Sequence, residues 1–314
     1  MKDLLRTEHL SRADVELILS TAAEFAEKPL RSNSALANKT VAIYMTKPST
    51  RTRLASETAV VHLGGTPIFI RGDDLQLGRG ETISDTAKII SGYASALIVR
   101  TFAQSDVDEL GANSSIPVIN ALTDVDHPTQ LLADWLTIRE NFGKDITGRK
   151  FVYLGDGNNM SHAWLIMGAI MGAHVVAATP GGKWSPDPIV VEVAKNIAAQ
   201  NGGKVELSND PEAAAQDASV LYTDVWMSMG DSESDRSEKT RSLSPYAVSE
   251  QLMKLTTKDS IFMHCLPAHR GEEVSASVID GPRSVVWREA YHRRTTIQAI
   301  LYHLVRGDLE GSTR

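Results

Sequence analysis

Short apolar runs alternate with segments of helical periodicity along most of the chain, and this alternation limits the possible folds more than any other feature. Runs rich in Val, Ile and Leu at 41–45, 66–70, 94–99 and 116–122 read as strands in the first half. Those at 150–154, 174–178, 204–207, 220–226 and 260–265 read as strands in the second. Helical stretches lie between many of them. One follows Ser49, carries Leu54, Thr58 and Val61 at helical spacing, and stops at Gly64-Gly65. Another runs from Thr82, with Asp85 three residues on, to about Tyr93, and a third begins at His127-Pro128 with Leu131, Leu132, Trp135 and Ile138 along one side. Further helices are expected at 161–171, 189–200, 211–218 and 291–306, and an opening one follows Ser11, with Val15, Ile18, Ala22 and Phe25 in step. Strands joined through helices over short connections lie parallel, with helices covering the sheet faces. The expected fold class is therefore α/β.

At ~150 residues per domain, 314 residues make two domains, each large enough to bury a core. The pattern restarts after Asn141-Phe142-Gly143, which sets a first domain at 1–142 and a second at 143–290. Each is expected to be a doubly wound parallel sheet, with the final helix, 291–306, packing back on the first. Hydrophobic residues make up 42% of the chain, which argues against disorder. A net charge of -7 argues against nucleic-acid or anionic-membrane partners. Cys265 is a lone cysteine, so no internal disulfide forms, and no Cys/His spacing of the zinc type occurs. Residues 1–10 are charged throughout, and no uninterrupted apolar run reaches the ~18 residues of a membrane span. A cytoplasmic location is the default expectation.

In doubly wound sheets ligands gather at the carboxyl ends of strands, so the polar residues there are read together. Ser49-Thr50-Arg51-Thr52-Arg53 sits between a strand and a helix, where unpaired backbone N–H groups and the positive helix end converge and arginines add planar donors. An oxyanion, phosphate above all, suits that place. The alternative is an ordinary Ser/Thr helix cap with Arg53 paired to Glu57 four residues on. Other strand ends carry Arg100-Thr101, His127, Asn158-Asn159, Asp224, Ser228 and His264-Cys265-Leu266-Pro267. The first half thus favours a phosphate-bearing substrate, while Asp224 and Asn159 favour a cationic or zwitterionic one. Two such substrates meeting in the cleft between two domains suit group transfer. Gly155-Asp156-Gly157 before a helix hints at a dinucleotide site, but the third glycine and a following acidic strand end are missing. Met160, Met167 and Met171 read as core packing rather than a metal box. No cofactor and no metal are expected, and the polar run 231–241 reads as a lid beside Ser228-Met229-Gly230.

Taken as an ordered set, Ser49-Thr50-Arg51-Thr52-Arg53, His127-Pro128-Thr129-Gln130, Gly155-Asp156-Gly157-Asn158-Asn159, Asp224 with Ser228-Met229-Gly230, and His264-Cys265-Leu266-Pro267 resemble the aspartate/ornithine carbamoyltransferase family over about residues 10–306. The first motif and His127-Pro128 are common to both branches, whereas Ser228-Met229-Gly230 and His264-Cys265-Leu266-Pro267 resemble the ornithine branch. Two positions depart from the usual pattern: Thr129 stands where cysteine is usual, and His292 where asparagine is usual.

The resemblance implies transfer of the carbamoyl group of carbamoyl phosphate to the side-chain amine of L-ornithine, giving L-citrulline and phosphate, a step of arginine biosynthesis. It also implies a carbamoyl-phosphate-binding first domain, an ornithine-binding second domain, and a homotrimer or multiple of trimers. By this resemblance Ser49, Thr50, Thr52 and Arg51 hold the phosphate, and Thr52, Arg100 and His127 face the carbonyl oxygen. Gln130 and the Leu266 backbone hold the carbamoyl amide, Arg293 matches the family's late arginine, and Gln76 reaches the site of a neighbouring subunit. Asn159, Asp224, Ser228 and Met229 hold ornithine. Cys265 lies by the reacting groups and counts with Arg51, Arg100 and His127 as catalytic. A free alkylammonium titrates near ~10.4, so something in the site must favour the neutral amine. Competing expectations are a carbamoyltransferase for putrescine or an acylated ornithine, a non-catalytic metabolite-binding protein on the same fold, and a hydrolase using the Cys265 thiol.

Overall fold

The computed structural model describes residues 1–28, 34–75, 80–227 and 236–312. Residues Met1–Leu136 with Tyr291–Arg314 form one unit and Thr137–Ala290 the other. The first is built from α1 (Arg12–Glu27), β1 (Thr40–Met45), α2 (Thr50–His62), β2 (Thr66–Arg71), α3 (Ile83–Tyr93), β3 (Leu97–Arg100), α4 (Gln104–Asn113), β4 (Val118–Leu122) and the start of α5 (Pro128–Phe142). Its strands are all parallel, in the order β2-β1-β3-β4. Central β1 and β3 are buried nearly end to end, which is why they read as continuous apolar runs; edge strand β2 leaves Thr66, Ile68 and Arg71 exposed.

Local chemistry sets the helix ends. Ser11 and Asp14 exchange hydrogen bonds in a capping box at the start of α1. Thr82 caps α3 by accepting from the Asp85 N–H at 3.1 Å. Helix α2 turns its small residues inward: Ala55, Ser56, Ala59 and Val60 are buried, while Leu54 and Val61 are 58% and 56% exposed. The spacing of Leu54, Thr58 and Val61 thus marks a helix correctly but traces its outward side. Helix α4 was not anticipated. It buries Val107 and Leu110, and its first residue has no side-chain cap to announce it.

The second unit contains β5 (Lys150–Leu154), α6 (Asn159–Ile170), β6 (His174–Ala178), α7 (Pro188–Asn201), β7 (Lys204–Ser208), α8 (Pro211–Ala215), β8 (Ala218–Thr223), α9 (Arg236–Leu243), α10 (Glu250–Leu255), β9 (Ile261–His264) and α11 (Ala276–Ile279). The final helix, α12 (Val286–Leu304), starts five residues before the expected 291, and the division between the units falls inside it. The second sheet is also parallel throughout, in the order β7-β6-β5-β8-β9. Val152, Leu154, Val176, Leu221, Phe262 and Val278 belong to a buried hydrophobic cluster with Tyr246 and Val286. Helix α6 lies close on β6 at Gly168, where any Cβ would come within 2.1 Å of Val175 Cγ1. Strand β8 starts at Ala218 rather than 220, because Asp217 takes a left-handed φ of 56° that ends the preceding turn.

Candidate active site

In the first unit, the carboxyl ends of β1 and β3 and the start of α5 supply one buried polar cluster. Ser49 caps α2 by accepting from the Thr52 N–H at 3.2 Å. The Thr52 hydroxyl is fully buried and receives three donors: Ser49 Oγ at 3.2 Å, Arg100 Nη1 at 3.4 Å and Arg293 Nη2 at 3.3 Å. Arg293 also donates to Gln130 Oε1 and, at 3.5 Å, to Thr129 Oγ1. Gln130 Nε2 donates to Asp134 Oδ1 at 2.8 Å, and Thr129 Oγ1 lies 3.4 Å from His127 Nδ1. Thr52, Arg100, His127, Gln130 and Arg293, chosen from positions 241 residues apart at most, are therefore brought together. Thr129 joins them through its hydroxyl. Ser49 and Arg51 are half-buried beside this cluster and Thr50 is exposed.

Electrostatics define what the cluster can do. Burial, then the charges of Arg293, Arg100 and Arg51, push His127 well below its ordinary pKa. His127 is thus neutral at pH 7, and three cations converge on the space around it. Such a field favours an anion. Arg53 plays a different part: its Nε donates to Glu57 at 3.0 Å and its guanidinium lies 3.9 Å from the Phe69 ring centre. The helix-surface pairing weighed for the 49–53 motif thus describes Arg53, while the charge of Arg51 is one of those acting on His127.

In the second unit, the ends of β5, β8 and β9 converge. Asp224, one residue beyond β8, is buried and accepts from Cys265 Sγ at 3.0 Å, from Asn158 Nδ2 at 3.2 Å and from the Val225 N–H at 2.7 Å. Asn158 caps α6, its Oδ1 accepting from the N–H groups of Met160 and Ser161 and from the Tyr153 hydroxyl at 3.3 Å. Asn159 is the first residue of α6 and half-buried. Leu266 takes a left-handed φ of 57° before a cis bond to Pro267, and its N–H donates to His264 Nδ1 at 2.8 Å. Because Nδ1 accepts from Leu266, Nε2 carries a proton, and it faces Glu273 Oε1 at 3.3 Å. Gln76, Ser228 and Met229 lie outside the described residues, as do 231–235 of the expected lid; the stretch from Arg236 onward forms α9.

Several residues that hold these groups escaped sequence reasoning. Asp126 accepts from the Thr7 N–H at 2.5 Å, the Thr7 hydroxyl at 2.7 Å and the His127 N–H at 2.7 Å, fixing the backbone at the catalytic candidate. Glu289 accepts from the His264 N–H at 3.0 Å and Glu273 from its ring. Asp126 meets Thr7 from 119 residues away and Glu289 meets His264 from 25, with no periodic signal to announce either pairing. Among the described residues, one group has ligand-type atoms close enough to share a cation: His269, Glu272 and Glu273, within 4.8 Å of one another. Glu273 already engages His264 and the His269 N–H, so we read this group as a brace for the 264–267 loop.

The relationships to known proteins agree with this geometry. Residues 2–140 match the carbamoyl-P binding domain of aspartate/ornithine carbamoyltransferase, and residues 147–304 match its Asp/Orn binding domain. The chain is 46% identical to the ornithine carbamoyltransferase of Pyrococcus horikoshii over 308 residues, 98% of this chain and 96% of the relative. It is also 46% identical to the anabolic ornithine carbamoyltransferase of Pyrococcus furiosus over 302 residues, 96% of this chain and 95% of the relative. The solved ornithine carbamoyltransferase structure from Pyrococcus furiosus superposes with a TM-score of 0.92 at 45% identity, covering 98% of both chains. By sequence over nearly its whole length and by the arrangement of its strand-end residues, the chain belongs to the aspartate/ornithine carbamoyltransferase family.

Proposed function

We propose that this chain transfers the carbamoyl group of carbamoyl phosphate to the side-chain amine of L-ornithine, releasing L-citrulline and phosphate. The observation that carries the reading is the buried Thr52 hydroxyl with two guanidiniums upon it, in the unit that matches a carbamoyl-phosphate-binding domain. The phosphate takes the start of α2, held by Ser49, Thr50, Thr52 and Arg51. The carbonyl oxygen takes Thr52, Arg100 and His127, which oppose the negative charge that grows there as the amine attacks; one such donor contributes about 3 kcal/mol. A neutral His127 donates a hydrogen bond without adding a charge that would repel the approaching ammonium. Gln130, oriented by Arg293 and Asp134, takes the carbamoyl amide. The Leu266 N–H is engaged by His264, so its carbonyl is the backbone group we assign to that amide.

On the acceptor side, Asp224 with Asn159, Ser228 and the Met229 backbone takes the amino-acid end of ornithine, and Cys265 orients the attacking amine. The amine must first lose the ammonium proton. Its nitrogen then forms the bond to the carbonyl carbon, the carbon–oxygen bond to phosphate breaks, and the second proton leaves the nitrogen for a phosphate oxygen. The products balance as citrulline and hydrogen phosphate, with no covalent enzyme intermediate. The anabolic relative supports a place in arginine biosynthesis.

Exposed Leu54 and Val61 on α2, with Ile68 on the edge strand β2, support self-association, for which we propose a homotrimer or multiple of trimers. Negative net charge and a lone cysteine support a cytoplasmic location; among the described residues no helix is long and apolar enough to cross a membrane. The test is to supply purified protein with carbamoyl phosphate and, separately, ornithine, putrescine and N-acetylornithine. Citrulline in one-to-one ratio with phosphate from ornithine alone is expected. Carbamoyl phosphate binding with no product would favour a metabolite-binding protein, and a mass increment on Cys265 during turnover would favour a thiol hydrolase.

A further inference from the structure

Lys239 is a lysine in an unusual place. Helix α9 exposes its first three residues and buries Leu243 near its end; between them Lys239 is only 5% exposed, and its Nζ lies 2.7 Å from Asp156 Oδ2, on a residue itself 9% exposed. Lysine and aspartate are rarely buried without a partner, and here each is the other's. Asp156 belongs to the tight turn between β5 and α6. The turn is held on a second side by the segment 182–185: the Gly157 N–H donates to the Trp184 carbonyl at 2.9 Å, and a Cβ at 157 would come within 2.2 Å of the Ser185 carbonyl carbon. Lys239 Nζ lies 5.7 Å from the Trp184 ring centre, and Lys183 at 4.7 Å from the same ring pairs with Glu238 of α9 at 2.7 Å. Turn, 182–185 segment and α9 are therefore tied at one point.

Two residues beyond Asp156, Asn158 places its Nδ2 on Asp224 while its Oδ1 caps α6. Asp224 in turn accepts from Cys265. A hydrogen-bonded path thus runs from the α9 ammonium through the turn to the two side chains assigned to the acceptor. We propose that Lys239 is a positioning residue for the amino-acid acceptor: buried on Asp156, it fixes the 155–159 turn so that Asn158 and Asp224 keep the geometry that binds the amine substrate. It does so without touching that substrate. This inference rests on the carbamoyl-transfer reading above.

The test compares wild type with Lys239→Met, which keeps length and removes charge, Lys239→Arg, which keeps charge, and Asp156→Asn, which keeps the turn's size. Steady-state kinetics in both substrates are read below the unfolding temperature of each protein. At metal sites, losing an outer residue that orients a ligand costs about 10–100-fold in affinity, and on the lower end of that scale Lys239→Met and Asp156→Asn are expected to raise the ornithine KM by about 10-fold. The carbamoyl phosphate KM is expected to stay within about 2-fold, with Lys239→Arg close to wild type. An unchanged ornithine KM with a lowered unfolding temperature would make the pair purely structural and overturn the proposal. Equal rises in both KM values, or a Lys239→Arg variant as damaged as Lys239→Met, would overturn it too. If Lys239→Met does not fold, Asp156→Asn carries the same comparison. A wild type that makes no citrulline would sink the carbamoyl-transfer reading and this inference with it, whereas an active wild type with unmoved variants sinks this inference alone.

Discussion

Asp126 and His127 are chain neighbours whose titrations are displaced in opposite senses, and their effect on stability can be worked out. Burial, opposed by hydrogen bonds from Thr7 and the His127 N–H, pushes Asp126 from 3.8 up to about 6. Between those values the folded chain keeps a proton that the unfolded chain has lost, so this stabilisation is present in full below pH 3.8 and is lost as pH rises through about 6. The difference of 6 and 3.8 is about 2.2 pH units, which at ~1.4 kcal/mol per unit is about 3 kcal/mol. His127 has the opposite sign. Its pKa is depressed from 6.5, so its contribution is present above pH 6.5 and declines as the unfolded chain gains a proton that the folded one refuses. As pH falls below about 6 the two contributions run in opposite directions.

Asp126→Asn removes one of the two. Relative to wild type, the variant is expected to lose about 1.4 kcal/mol per pH unit on acidification from about 6 to 3.8, reaching about 3 kcal/mol, on top of any pH-independent offset. His127→Gln is expected to do the reverse, gaining on wild type as pH falls below 6.5. Urea midpoints measured from pH 4 to 7.5 provide the difference curves, in which titrations elsewhere in the chain cancel. A flat curve for Asp126→Asn would refute the reasoning. A curve of opposite slope would show that the three donors on Asp126 outweigh its burial and hold it as an anion.

Three further outcomes are expected. Arg51→Ala should lower kcat/KM roughly 150-fold, the equivalent of ~3 kcal/mol for a lost charge-stabilising donor, with an unchanged unfolding midpoint; near-normal turnover would remove Arg51 from the phosphate site. Asp224→Asn should raise the ornithine KM by about 10-fold or more while leaving the carbamoyl phosphate KM alone, and an unmoved ornithine KM would end its assignment to the acceptor. Gly157→Ala should lower stability by about 1–3 kcal/mol, since the new methyl meets backbone rather than a flexible side chain; a urea midpoint equal to wild type would mean the 182–185 segment yields freely.

Parts of this fold were legible because parallel strands covered on both faces leave unbroken apolar runs. Strands β5 and β6 were placed to the residue, each closed off by a positive-φ glycine at 148, 155 or 172. Where the apolar signal thinned, the reading failed. Helix α4 buries two large apolar residues, Val107 and Leu110, over ten positions, and the first turn of α12 shows Trp287 at 66% exposure, so neither start carries an inward stripe. On α2 periodicity identified the helix but not its side, since small residues rather than large ones lie against the sheet.

The candidate-site residues were legible to the extent that sheet topology collects strand ends within each unit, Arg100 with His127 in the first and Asp224 with Cys265 in the second. What holds those groups was not legible, because only the folded chain brings Asp126 to Thr7, and Glu273 and Glu289 to His264. The distinction divides the His264-Cys265-Leu266-Pro267 motif. His264 is wholly buried: its N–H is on Glu289, its Nε2 faces Glu273 and its Nδ1 accepts from Leu266. That last bond helps hold Leu266 at a left-handed φ, a conformation that costs about 1–3 kcal/mol for a residue other than glycine and persists only when its surroundings enforce it. His264 is thus the scaffold of the motif, all three of its nitrogens being engaged by protein groups. Its role is to keep Cys265 on Asp224 and the Leu266 carbonyl in place. Losing the imidazole would therefore look like a catalytic defect although no reacting atom had been removed.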